Sequence, residues 1–167
     1  MMGELLDADV VSYTNYDGGQ AVSSSLRIAL RVMEDRKTPK SMVLVPSTMN
    51  PEIFSQAEAY CRKTAEVVKV AYEPQTGLMD LLDLEEKLKS GQVGAVFYEN
   101  PSYLGFFETR GQKIADLAHR YGALCIAQPE VAALGIMESP MNLGADIVCG
   151  DIQPLGMHIQ FGGGQAG

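Results

Sequence analysis

Four short stretches hold the residues whose types and spacing could do chemistry. They are Tyr16-Asp17-Gly18-Gly19, Gln128-Pro129-Glu130, Gly150-Asp-Ile-Gln153-Pro154-Leu155-Gly156, and the run Gly162-Gly163-Gly164. The first opens a long helical pattern. Backbone N–H groups at a helix start attract anions, and glycines let a ligand come close to the chain. A phosphate cradle is one reading. A plain turn that starts a helix is the other, and the local residues favour it, because the Asp17 carboxylate would itself satisfy the N-terminal donors. Glu130 follows a strand, where a carboxylate could meet a ligand or simply stand in water. In the third stretch Gln153 and Asp151 supply polar groups and Pro154 and Gly156 bend the chain. Three consecutive glycines permit close backbone contact with something else, which a turn alone does not require.

The remaining reactive side chains are less suggestive. Cys61, Cys125 and Cys149 lack metal-type spacing, and their odd number without Cys-x-x-Cys predicts free thiols. Cys125 and Cys149 lie in apolar runs and read as small buried hydrophobes. His119 reads as a surface residue of a helix. His158 has no second histidine nearby, so a metal centre is not expected.

The elements that must position these residues alternate between apolar strands and amphipathic helices. Helices are expected over Gln20–Glu34, Asn50 to about Lys63, Asp80–Leu88 and Gly111–Tyr121. Strands are expected at 41–46, 66–72, 93–98, 123–128 and 145–149, with a last one around His158–Phe161. Near-continuous apolar strands between helices imply an α/β protein, a mostly parallel sheet covered on both faces. Ligands of such sheets meet the loops beyond the carboxyl ends of the strands. Those loops are 46–51, 72–79, 98–107, 128–135 and 150–157.

The 167 residues are enough for one domain, with 46% apolar and 20% charged residues. A net charge of −8 argues against a nucleic-acid partner. No apolar run reaches the roughly 20 residues of a membrane span, and the N-terminus does not look like a signal peptide, so the cytoplasm is expected. The chain opens within a helical pattern at Met2–Leu6 and ends on Gly-Gly-Gly-Gln-Ala-Gly, which reads as a central piece of a longer protein.

Several of these residues together resemble a family. They are Tyr16-Asp17-Gly18-Gly19, Glu99-Asn-Pro-Ser-Tyr-Leu-Gly, Ala133-Leu134-Gly135, and above all Gly144-Ala-Asp-Ile-Val-Cys-Gly-Asp-Ile-Gln-Pro-Leu-Gly with Phe161-Gly162-Gly163. The chain resembles subunit 1 of the glycine dehydrogenases (decarboxylating), the P-proteins of the glycine cleavage system, over essentially its whole length. The resemblance implies the large-domain core of the aspartate-aminotransferase-like fold (fold type I), a three-layer α/β/α pyridoxal-phosphate transferase architecture. It implies decarboxylation of glycine and transfer of the aminomethyl group to the lipoyl arm of the H-protein. It also implies an α2β2 enzyme whose subunit 2 carries pyridoxal phosphate on a lysine. Here there is no lysine after Lys113, and counting back from Gly162 by the family's spacing lands on Leu155. A Schiff base needs an amine, so this chain is expected to hold no cofactor covalently. Asp17, Gly18 and Gly19 fall where the cofactor-bearing subunit holds the phosphate, and Glu130 near its pyridinium acid, as vestigial cofactor-binding positions. Gln153, Pro154, Leu155, Gly156, Gly162, Gly163 and Gly164 are expected to line the site or the interface with the partner. No catalytic residue and no metal are expected, and the isolated chain is expected to be inactive. Two alternatives stand beside this reading. One is a catalytically silent scaffold or interaction module of the same fold. The other is a fragment of a cysteine-desulfurase-like enzyme whose lysine lies elsewhere.

Overall fold

The computed structural model describes residues 1–12, 15–158 and 163–167. Gly162 and the strand expected up to Phe161 therefore lie outside the described residues, and His158 itself is in no strand.

A short helix α1, Met2–Leu6, precedes the first long helix α2, Gly18–Asp35. The start of α2 differs from the expected Gln20. Asp17 is its N-cap, and its carboxylate accepts the Gln20 N–H at 2.6 Å. The two glycines thus form the first turn instead of leading into it. The predicted apolar face is buried at Ala21, Val22, Leu26, Ala29, Leu30 and Met33. Asn50 caps α3, Pro51–Cys61, by accepting the Glu52 N–H at 2.9 Å, and Pro51 takes the first helical position. Asp80 caps α4, Leu81–Leu88, in the same manner. The last helix, α5, covers Gly111–Arg120.

Five strands, β1 Met42–Pro46, β2 Glu66–Val70, β3 Val93–Asn100, β4 Leu124–Pro129 and β5 Ile147–Val148, form one sheet in the order β2-β1-β3-β4-β5. Every pairing is parallel. Alternate side chains divide the core in two. Val43, Val45, Ala95, Phe97, Leu124 and Ile126 pack against α2 and α3. Leu44, Val70, Val96, Tyr98, Cys125 and Ala127 pack against α4 and α5. The result is the expected three-layer α/β/α arrangement.

Three strands differ from expectation by two residues or more. The apolar pattern ends at Tyr98, yet β3 continues through Glu99 and Asn100, which pair with Gln128 and Pro129 of β4. All eight residues of β3 are buried. These two polar residues find partners off the strand, so burial there does not leave them unsatisfied. By contrast β5 keeps only Ile147 and Val148 in register with β4, and the Asp146 and Cys149 N–H groups bond the Cys125 and Ala127 carbonyls at its two ends. β2 stops at Val70, and Tyr72 instead forms an isolated antiparallel bridge to Met79, which folds 72–79 back on itself.

Candidate functional site

The strand order reverses between β1 and β3, and the crevice beyond their carboxyl ends is where open parallel sheets bind ligands. The N-terminus of α2 comes to the same edge. There the Gly18 N–H donates to Asp151 Oδ1 at 2.7 Å, across 133 residues of sequence. A Cβ on Gly18 would lie 2.7 Å from the Asp151 carboxyl carbon, so only glycine admits the carboxylate this close. Gly19 is similarly pressed against the Gln56 side chain. The terminal segment joins this cluster through the Ile152 N–H to the Ala166 carbonyl at 2.9 Å and the Gly167 N–H to the Asn15 carbonyl at 3.1 Å. The structure therefore brings together Asp17, Gly18 and Gly19 with the loop after β5 and the end of the glycine-rich tail. Gly163 adopts a positive φ of 98° and Gly164 lies against Met157.

Gln153, Pro154 and Leu155 form a single exposed 3-10 turn that ends at Gly156 with φ 116°. Leu155, the residue expected from the resemblance to stand in the lysine's place, is 45% exposed and belongs to neither core cluster. The neighbouring turn, Val131–Gly135, is capped by Glu130, whose carboxylate accepts the Ala132 N–H at 3.2 Å. Glu130 is exposed, and its recorded bond is this local one. In this geometry Glu130 is a loop acid that stabilises its own turn.

Sequence reasoning missed a second cluster at this edge. Glu99 is only 7% exposed and accepts the Asn50 N–H at 3.2 Å and the Tyr103 N–H at 3.1 Å. Glu108, equally buried, accepts the Met79 N–H at 2.8 Å and the Arg110 N–H at 3.0 Å. The Asn100 side chain closes the loop between them, donating to the Glu108 carbonyl at 3.2 Å and accepting its N–H at 3.1 Å. Phe106 stacks where a side chain at Gly77 would sit. The crevice they enclose has a volume of only ≈ 10 Å³, about one water. Beyond it Tyr103, Leu104, Phe106 and Phe107 are exposed on the loop that follows β3. Their spacing carries no periodicity, and nothing in the local sequence says that Glu108 and Glu99 are inside. Next to Glu99, the Oε1 of Gln128 is buried without a partner among the described residues, as is Ser47 Oγ at the end of β1.

Burial pushes the Glu99 carboxyl above its ordinary value of 4.5, and the two backbone N–H groups only partly offset this. The folded protein thus holds this proton more tightly than the unfolded chain. Stability contributed by that proton grows as pH falls through the raised folded value, and stops growing near the unfolded value of 4.5. Glu99→Gln should flatten the pH dependence of the urea midpoint in that window, which opens at about pH 4.5 and extends upward. Identical slopes for the two proteins would show that the carboxyl is not desolvated.

The other reactive groups are quiet. Burial raises the thiols of Cys125 and Cys149 to about 12 and pushes that of Cys61 upward, so none is a nucleophile at neutral pH. His119 donates its Nε2–H to the Asp146 carboxylate at 2.7 Å, and the same carboxylate accepts the Cys125 N–H at 2.7 Å. That pair ties the starts of β4 and β5, at the edge opposite the ligand loops. Among the described residues no group of His, Cys, Asp and Glu could hold a metal, and no helix is long and apolar enough to cross a membrane.

The family model of the glycine cleavage system P-protein matches residues 1–167. This chain belongs to that family. It is 35% identical over 164 residues to a probable glycine dehydrogenase (decarboxylating) subunit 1 of Staphylothermus marinus, covering 98% of this chain and 34% of the relative. It is 37% identical over 165 residues to the protein of the same description in Aeropyrum pernix, again covering 98% of this chain and 34% of the relative. This member of the P-protein family therefore spans about a third of the length of the curated relatives it matches. A crystal structure of an inhibitor-bound glycine decarboxylase (P-protein) superposes with a TM-score of 0.82 at 31% identity, over 99% of this chain and 35% of that one. A cystathionine gamma-lyase from Lactobacillus plantarum, complexed with L-serine, is similar at a TM-score of 0.68 and 18% identity over 88% of this chain and 34% of that one, which shows the fold alone. Together these matches bear out the P-protein resemblance and the fold type I reading.

The family's fold brings pyridoxal phosphate into question, and the residues of this P-protein chain do not fit it. The position where the resemblance leads one to expect the lysine holds Leu155, the donor of Gly18 is already bonded to a carboxylate, and the Glu130 carboxylate caps its own turn.

Proposed function

We propose that this chain is the central, single-domain part of the non-cofactor subunit of a glycine dehydrogenase (decarboxylating). The enzyme decarboxylates glycine in the cytoplasm and passes the aminomethyl group to the lipoyl arm of the H-protein. It works as an α2β2 assembly with subunit 2, and this chain alone is inactive. Pyridoxal phosphate, bound to the partner's lysine, supplies the electron sink that decarboxylation at an amino-acid α-carbon needs.

The observation that carries the reading is the pairing of a P-protein fold with a hydrocarbon, Leu155, at the position of the amine. A site with no amine cannot form the bond on which the chemistry depends. What this chain offers is shape. Gln153, Pro154, Leu155 and Gly156 present an exposed turn at the ligand edge of the sheet. Gly163 and Gly164 let the backbone lie close to whatever covers them. The names of the curated relatives, which number their subunits, support a second subunit.

Pyridoxal phosphate mixed with the chain, followed by borohydride, tests this. The expected result is no internal-aldimine absorbance and no single lysine carrying the reduced pyridoxyl group. With subunit 2 added, the label belongs on subunit 2, and glycine–bicarbonate exchange requires both proteins. Stoichiometric labelling of one lysine of this chain would overturn the assignment.

A further inference from the structure

The disagreement between this chain and the family's cofactor has a specific cause in the fold. We infer that Asp151 is an internal anion that closes the phosphate position at the start of α2, and so acts as the specificity-determining residue that keeps phosphate-bearing ligands off this chain. The inference rests on the reading that the cofactor belongs to the partner.

The carboxylate stands in for a phosphate oxygen pair. It reaches the Gly18 N–H at 2.7 Å from a loop 133 residues away, so the contact is made by the tertiary fold and not by local helix capping. It lies flat against Gly18, in space that the Cβ of any other residue would take. That fit is the close backbone approach by which glycine-rich helix starts admit phosphate groups, here used by a side chain. The second carboxylate, Asp17, takes the Gln20 N–H from the other side at 2.6 Å. An incoming phosphate would find the Gly18 and Gln20 donors bonded and two negative charges at the place it must occupy. The loop that carries Asp151 is fixed there, because the Ile152 N–H bonds the Ala166 carbonyl at 2.9 Å. The unused feature of the sequence, a glycine pair opening a helix with no anion to bind, is thereby accounted for: the anion is covalently part of the chain.

Asp151→Ala in the intact subunit tests this, with inorganic phosphate as the probe and the Gly18 amide shift as the readout. The wild-type protein should show no saturable phosphate-dependent shift. Asp151→Ala should acquire one, with association at least about tenfold tighter than any seen for wild type. Adding Gly18→Ala to that variant should remove the gain, since the new methyl group blocks the approach. Circular dichroism establishes that each variant is folded. If Asp151→Ala does not fold, Asp151→Gly is read the same way, because it too vacates the space and frees the Gly18 N–H. A folded variant with no phosphate response overturns the inference, as does a wild-type protein that binds phosphate equally well. The experiment uses neither pyridoxal phosphate nor subunit 2. It can fail while the subunit assignment stands, and the labelling experiment can fail while Asp151 still closes the helix start.

Discussion

Phe97→Ala should destabilise the protein by about 3–5 kcal/mol, the range for truncating a fully buried aromatic ring. Phe97 has 0% exposure and sits in the middle of β3, the central strand of the sheet. Its ring belongs to the core cluster formed with α2 and α3, among Leu26, Ala29 and Leu30 of α2. Strands on both sides and a helix above leave little freedom to collapse into the space, so most of the cavity cost remains. Against a typical domain stability of about 5–15 kcal/mol, the loss is a large fraction of the whole. Urea denaturation should show a lower midpoint at unchanged slope. Phe97→Leu keeps most of the volume and should cost clearly less. A Phe97→Ala loss under about 1 kcal/mol would mean that the ring is not packed where the structure puts it.

Arg110→Ala is the second large effect, and it acts on the ligand edge. The guanidinium donates to Glu73 at 2.7 Å and to the Met79 carbonyl at 2.6 Å, and it pairs with Glu108 at 3.4 Å. One planar fork thus joins the folded-back 72–79 segment to the end of the aromatic loop, a geometry that lysine cannot reproduce. The same fork holds the Glu73 carboxyl below its ordinary value. Glu108 is 7% exposed, so removing the cation leaves a buried carboxylate without its counter-charge. Breaking such a pair costs about 3 kcal/mol or more when fully buried. Because the Arg110 side chain is 18% exposed and Glu73 reaches solvent, about 2–3 kcal/mol is expected here. Chymotrypsin should then cut at Tyr103, Leu104, Phe106 or Phe107 in the variant before it cuts wild type, because the loop has lost its anchor. Arg110→Lys should recover only part of the stability. Equal midpoints and equal cleavage would show that the clamp holds nothing.

Much of the framework was legible in the residues themselves. The spacing of Ala21, Val22, Leu26, Ala29, Leu30 and Met33 marked a helix face before any contact was known, and that face is buried. Asn50-Pro51 and Asp80 marked helix starts because a short polar side chain can satisfy the orphaned N–H groups within its own few residues. The strands could be read because their apolar runs are short and bounded by proline and glycine. Where the reading slipped, tertiary pairing had overridden local pattern. Glu99 and Asn100 are polar, yet they are strand residues because β4 offers them backbone partners. Asp146 lies beside an apolar run, yet β5 begins only at Ile147, because the Asp146 side chain and not a backbone carbonyl takes the Cys125 N–H.

The candidate site divides in the same way. That residues 114–167 contain no lysine is a property of the sequence alone. The glycine pair at 18–19 and the bend at 153–156 were visible too, since glycine and proline act through their own backbone angles. Only the folded chain could decide what meets them. Asp151 reaches Gly18, Glu108 and Arg110 clamp two loops, and Glu99 becomes a buried acid, through contacts between segments far apart in the chain. A hydrogen bond across 133 residues leaves no periodicity to read, because its partners are chosen by the sheet order and the crossovers and not by their neighbours.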